Sequence, residues 1–246
     1  MAVRSIIVIA VSLYFLAGCA STSTPRGTTP EALLLEGDEY SGQKKYEDAI
    51  LRWKKAKEMV TAPDIVALAD LKIADALFAD EKYIEAAAEY ENFRKLHPSH
   101  ESIPYVVYRL GYCYFNEIAG IDTEQTPVKN AVAMFETFLR QYPSSADADK
   151  VREKLAVSRD KQLQYEIYVG RFYFRTGKYP SAIKRLEEAL VSFPKSDFHD
   201  ETLFYLGQAY LAQGEKKKGG ETLTRLLHDY PSSKLAGKAK KLLRKG

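Results

Sequence analysis

"LHPSHE", residues 96–101, returns along the chain as "QYPSSA" (141–146), "SFPKSD" (192–197) and "DYPSSK" (229–234). Each phrase follows a segment with helical apolar spacing and stops it, because proline cannot continue a helix interior and a Ser or Asp behind it suits the next N-cap. Reading back from Pro98, Pro143, Pro194 and Pro231, an apolar residue stands five positions earlier, another eight earlier, and Ala or Gly twelve earlier. These are Phe93, Tyr90 and Ala86; Phe138, Phe135 and Ala131; Ala189, Leu186 and Ala182; Leu226, Leu223 and Gly219. A helix with this spacing buries one face, and it recurs along the chain.

A partner helix precedes each of them. Gly37 and Tyr40 stand before Ala49, Ala74 and Leu77 before Ala86, Gly170 and Tyr173 before Ala182, and Gly207 and Tyr210 before Gly219, each small residue twelve positions ahead. Small residues let two helices cross closely while the large ones fill the space between them. A helix pair of this pattern is a tetratricopeptide repeat, whose usual period is about 34. The reading predicts an all-α, right-handed α-solenoid of five tetratricopeptide repeats with a C-terminal capping helix.

Two departures interrupt the period. Ala131 follows Gly111 by 20 residues rather than 12, which puts an eight-residue insert around "AGIDTEQTP" between the helices of repeat three. Pro143 and Pro194 are 51 apart, 17 more than the period, and the extra "ADADKVREKLAVSRDKQ" is helix-compatible, so a long helix is expected to join repeats three and four. After Pro231 the end "SSKLAGKAKKLLRKG" carries six basic residues and no acidic one. It reads as a solvated cap or as a basic surface for lipid headgroups or an acidic partner. First-helix positions two, five, nine and twelve share one face and line the groove of such a solenoid. Repeat one supplies Glu31, Leu34, Asp38 and Ser41, whereas repeats two and three supply Leu68, Leu71, Asp75 and Phe78, then Tyr105, Tyr108, Tyr112 and Phe115. An aromatic groove suits peptide with varied sequence. Packing of the long helix or the insert over these rings would make them core instead.

The chain begins with a basic Arg4, an apolar run from Ile6 to Leu16 and "LAGC", residues 16–19, the layout of a secretory signal and far short of a membrane span. Gly18 followed by Cys19 resembles the bacterial lipobox, in which the cysteine is lipidated and becomes the new N-terminus. Several acyl chains make a durable anchor where one is marginal. Removing residues 1–18 would leave 228 of 246 residues and lower the formal charge from +3 to +2. No global basic field then argues for nucleic acid. Residues 20–30, "ASTSTPRGTTP", read as a tether. With Cys19 committed to lipid, Cys113 has no intramolecular disulfide partner and reads as a buried core thiol. His97, His100, His199 and His228 lack metal-ligand spacing, and no nucleophile elbow, zincin motif or phosphate loop occurs, so neither catalytic residue, metal nor cofactor is expected beyond the lipid.

The lipobox, the five repeats, the repeat-three insert and the following long helix together resemble the BamD (ComL, YfiO) family of outer-membrane assembly lipoproteins. "HPSHESIPYVVYRLGYCYFNEI" resembles its proline-histidine turn and tyrosine-rich helix, and "VGRFYFRTGKYPSAIKRLEEAL" its fourth repeat. "DTEQT" departs from the family's Arg-Asp-Gln-Thr wording, although Asp122, Gln125 and Thr126 align with it. The resemblance implies a non-enzymatic subunit of the β-barrel assembly (BAM) complex, anchored to the periplasmic face of the outer membrane through Cys19. It also implies binding to the POTRA domains of BamA, to unfolded barrel proteins and to other Bam lipoproteins. Carried over residue by residue, it places partner contacts at Arg185, Asp122 and Gln125, while the first-helix count places the substrate-peptide groove at Leu71, Phe78, Tyr105, Tyr108, Tyr112 and Phe115. The expected organisation is signal peptide 1–18, tether 19–30, repeats one and two 31–103, repeat three with insert and linking helix 104–162, and repeats four and five with cap 163–246. Another periplasmic repeat lipoprotein, such as a secretin pilotin, shares the anchor and repeats but not the insert. A cell-envelope coordinator would carry a coiled coil and no lipid.

Overall fold

The computed structural model describes residues 29–194 and 196–244; the signal segment, Cys19 and most of the tether lie outside them. Among the described residues the chain forms helices α1 (Pro30–Gly42), α2 (Tyr46–Glu58), α3 (Pro63–Ala79), α4 (Tyr83–Leu96), α5 (Ile103–Asn116), α6 (Thr126–Gln141), α7 (Ala148–Arg175), α8 (Tyr179–Ser192), α9 (His199–Gln213), α10 (Lys216–Asp229) and α11 (Ala236–Leu243). Each packs on the next in chain order, which makes five helix pairs and a terminal cap. The architecture is the all-helical solenoid expected from the repeats.

The spacing of small and large residues has its expected cause. Gly37 lies against Trp53, Gly111 against Phe135, Gly170 against Leu186 and Gly207 against Leu223. At Gly207 an added Cβ would sit 2.7 Å from the Leu223 side chain, so the pair could not close around alanine without moving apart. The large partners are fully or almost fully buried, and Trp53 also donates its indole N–H to the Leu34 carbonyl at 3.1 Å. Cys113 is fully buried beside Tyr90, and burial pushes its thiol up to about 12. It is therefore protonated and inert at neutral pH.

The turn within a repeat is equally regular. Lys44, Glu81, Gly177 and Gly214 occupy left-handed backbone, with φ of 59°, 59°, 73° and 91°, each seven residues after the repeat's small residue. The next amide closes each first helix by donating to the carbonyl five residues back, as Lys82 N does to Leu77 O at 2.9 Å and Glu215 N to Tyr210 O at 2.9 Å. In repeat three the insert, residues 117–125, replaces this turn.

The long helix fulfils the second departure. α7 runs unbroken through 28 residues: its N-terminal half packs on α5 and α6 through Val151 and Leu155, while its C-terminal half pairs with α8 as the first helix of repeat four. α11 buries Ala236 and Ala239 against repeat five and leaves Lys238, Lys240, Lys241 and Arg244 exposed. No helix among the described residues is long and apolar enough to cross a membrane.

Candidate functional site

The groove residues expected from the first-helix pattern divide into two groups. Leu71 and Phe78 on α3 are partly buried against the core shared by repeats two and three. Tyr105, at the start of α5, is 40% exposed and donates to Asp75 at 2.8 Å. Tyr90 donates to the same carboxylate, Arg109 Nε donates to the Tyr90 hydroxyl at 3.0 Å, and the Arg109 guanidinium lies 3.6 Å from the centre of the Phe78 ring. Burial, reinforced by the Asp75 charge, pushes the Tyr90 and Tyr105 phenols above their ordinary range, so both remain donors at any physiological pH. Arg109 was not among the expected site residues. Its signal was a lone cation within "YVVYRLGYCYF".

Tyr108, Tyr112 and Phe115, farther along the same helix face, have different neighbours. Tyr112 meets Phe135 edge-on at 5.6 Å, Tyr108 lies 6.0 Å from Phe138, and Phe115 lies 6.4 Å from Phe135 with Lys154 of α7 over its ring at 4.8 Å. Together with Val151 and Leu155 of α7 they cover the core of repeat three. Tyr105 therefore stands with the Asp75–Arg109 group, and the other three aromatics with α6 and the start of the long helix.

Two of the three expected partner-contact residues meet at a second place. A cleft of about 440 Å³ opens where the insert, α6, α7 and α8 converge, and Gln125, Lys129, Tyr165, Glu166 and Arg185 are among its lining. Gln125 and Arg185 are thus brought together, whereas Asp122 sits exposed on the loop and does not line the cleft. Arg185 is ion-paired to Glu166, with its guanidinium 5.9 Å from the Tyr165 ring. Burial pushes the Glu166 carboxyl up while Arg185 pulls it back. The insert is pinned locally. Thr123 donates to the Gly120 carbonyl at 2.6 Å, Gln125 Nε2 donates to the Thr123 carbonyl at 2.7 Å, and Glu124 accepts from the Thr126 amide at 2.8 Å. The bonds from Thr126 hold the Glu124 carboxyl below its ordinary range.

Two of the histidines serve the frame. His97 lies 3.3 Å from Asp70, a residue only 4% exposed that also accepts from Lys57, and His199 reaches the Phe193 carbonyl and the Tyr230 hydroxyl. No cluster of His, Cys, Asp or Glu suited to a metal ion occurs among the described residues.

The Rickettsia prowazekii protein named outer membrane protein assembly factor BamD is 26% identical over 93% of this chain and 92% of its own length. The same-named protein of Neisseria meningitidis serogroup A is 25% identical over 82% and 80%. That of Caulobacter vibrioides is 28% identical over 60% of this chain, which spans half of that relative. Among solved structures, a MamA RS-1 double mutant covers 82% of this chain and 95% of its own at 16% identity and a TM-score of 0.45. The TPR2AB domain of yeast Sti1 covers 82% and 78% at 14% identity and a TM-score of 0.41. At these scores the structural likeness adds nothing to the fold described above. The pattern of the family described as "YfiO: Outer membrane lipoprotein" matches residues 27–223, the span that holds all five helix pairs up to the middle of α10. The chain belongs to the YfiO family of outer membrane lipoproteins.

Proposed function

We propose that this chain is the BamD-type lipoprotein subunit of the outer-membrane β-barrel assembly complex, a non-catalytic scaffold that contacts the POTRA domains of BamA and binds unfolded barrel proteins. The observation that carries the reading is family membership over residues 27–223, joined to relatives named as BamD that align along 80% or more of their own length. Lipid on Cys19 would hold the solenoid at the periplasmic face of the outer membrane. Tethering there raises its effective concentration beside the insertase without any new contact.

The two sites divide the work. The cleft beside Arg185 and Gln125 is the BamA contact: its guanidinium, ion pair and fixed loop offer shape and charge without flexible surface. The half-exposed Tyr105, with Asp75 and Arg109, is the open part of the substrate groove, combining ring surface with donors and an acceptor for peptide backbone. Calorimetry with isolated POTRA domains tests the first assignment. Wild-type chain should bind, and Arg185→Leu should weaken binding by about tenfold, because it strands Glu166 and removes a planar donor. Unchanged affinity with an intact fold would remove the cleft from the interface. Absence of wild-type binding would remove BamA as the partner.

A further inference from the structure

The first helices of repeats two, three and five bury three equivalent positions against the repeat before them. These are Ala69, Ile73 and Ala76; Val106, Leu110 and Cys113; and Thr202, Leu206 and Ala209, none more than 4% exposed. In repeat four the equivalents are Tyr165, Val169 and Phe172, and here the cover is missing: Phe172 is 47% exposed, and Tyr165 and Val169 are partly open. The cause is the length of α7. Val151, Leu155, Ser158, Gln162, Tyr165, Val169 and Phe172 form one stripe in steps of four and three, which keeps them on one helix face. The first three are buried against repeat three. The start of α6 reaches only the level of Gln162–Glu166, where Val128 and Lys129 line the cleft. Beyond it α7 continues for about 15 Å, at 1.5 Å per residue, with no helix among the described residues laid on this stripe.

Repeat one gives the contrast, since among the described residues no helix precedes it. Its equivalents of Val169 and Phe172 are Glu36 and Glu39, the polar outer face that a terminal repeat needs. Repeat four has kept an apolar and aromatic face instead. Along one edge runs the row Lys161, Tyr168 and Arg175, spaced by seven; Tyr168 is 37% exposed, and neither cation is ion-paired among the described residues.

We infer that the C-terminal half of α7 is a docking surface for an amphipathic helix of a partner protein, which takes the place of the missing second helix. Its apolar side would lie on Tyr165, Val169 and Phe172, and its acidic flank would face Lys161 and Arg175. A helix is the element that covers the same positions in repeats two, three and five, and the unpaired cations select Asp and Glu on its edge. The vacancy exists whatever complex the chain joins, so failure of POTRA binding would leave it standing.

The test is fluorescence anisotropy on the purified chain with a synthetic peptide of about three heptads, Leu at the a and d positions and Glu on the flanks, and with a scrambled peptide of the same composition. The patterned peptide should bind and the scrambled one should not. Phe172→Glu, at an exposed position, and Arg175→Glu, which leaves the stripe intact, should each weaken binding by about tenfold or more. Leu35→Glu, on the uncovered first helix of repeat one, should not. Equal binding of both peptides, or wild-type affinity in both α7 variants with helix content retained, would overturn the inference. A concentration-dependent dimer abolished by Phe172→Glu would also overturn it, by giving the face to a second copy.

Discussion

The two halves of α7 carry one continuous stripe and meet different surroundings. Up to Ser158 the stripe is core, sealed by α5 and α6; from Tyr165 onward the same helix face is partly open, and at Phe172 it is exposed. The covered half makes the long helix part of repeat three, and the open half makes it the first helix of repeat four. A continuous solenoid would have placed a second helix between them. Its omission creates a step, and the cleft with Gln125 and Arg185 sits at that step, floored by the insert. Irregularity in a repeat protein is thus where partner contacts can be specific, because the regular stacks spend their apolar faces on one another.

The largest expected effect contrasts the two halves directly. Phe135→Ala removes the ring that fills the space at Gly111 and supports Tyr112 and Phe115, and should cost about 3 to 5 kcal/mol in urea unfolding. Phe172→Ala should stay within about 0.5 kcal/mol of wild type. Comparable losses would mean that the open half is packed after all. The groove divides in the same way. Tyr105→Ala should weaken a barrel-derived C-terminal peptide by about 1 to 2 kcal/mol with little change in stability, read by anisotropy and urea midpoint. Tyr112→Ala and Phe115→Ala should act mainly on stability, since both rings pack on Phe135. Peptide loss in those two variants at unchanged stability would return them to the groove.

A smaller gain is expected in the regular stacks. Glu81 holds a left-handed conformation that Gly177 and Gly214 adopt freely, so Glu81→Gly should stabilise by about 0.5 to 1 kcal/mol, a net of relieved strain over added chain entropy. A destabilised variant would show that the Glu81 side chain contributes more than its backbone costs. The smallest effect lies at the step. Burial raises the folded-state pKa of Glu166, so the folded chain binds the proton more tightly than the unfolded one, and the carboxyl's contribution is lost as pH rises through the raised value. Measured against Glu166→Gln, wild-type stability should fall from the acid end of the carboxylate range toward neutrality. A rise would mean that Arg185 outweighs burial.

Much of this was legible in the sequence. Pro98, Pro143, Pro194 and Pro231 mark the second-helix ends, the small residue at Gly37, Ala74, Gly111, Gly170 and Gly207 marks each first helix, and the two breaks in period mark the insert and the long helix. What stayed hidden is three-dimensional pairing. Counting positions puts Tyr105, Tyr108, Tyr112 and Phe115 on one face, but only the placement of α6 and α7 decides that three of them are partly buried. The Arg185–Glu166 pair joins different helices across a loop, and no spacing announces it. The stripe from Val151 to Phe172 was present as steps of four and three, yet which half of it is covered depends on where α6 begins, and the insert sets that.

Co-purification of the native lipoprotein from detergent-solubilised outer membrane tests the central claim most directly. BamA should elute with it in stable proportion, and Cys19→Ala should abolish membrane retention once BamA is depleted while leaving the fold intact. Elution with a secretin, or with no barrel subunit at all, would contradict the account.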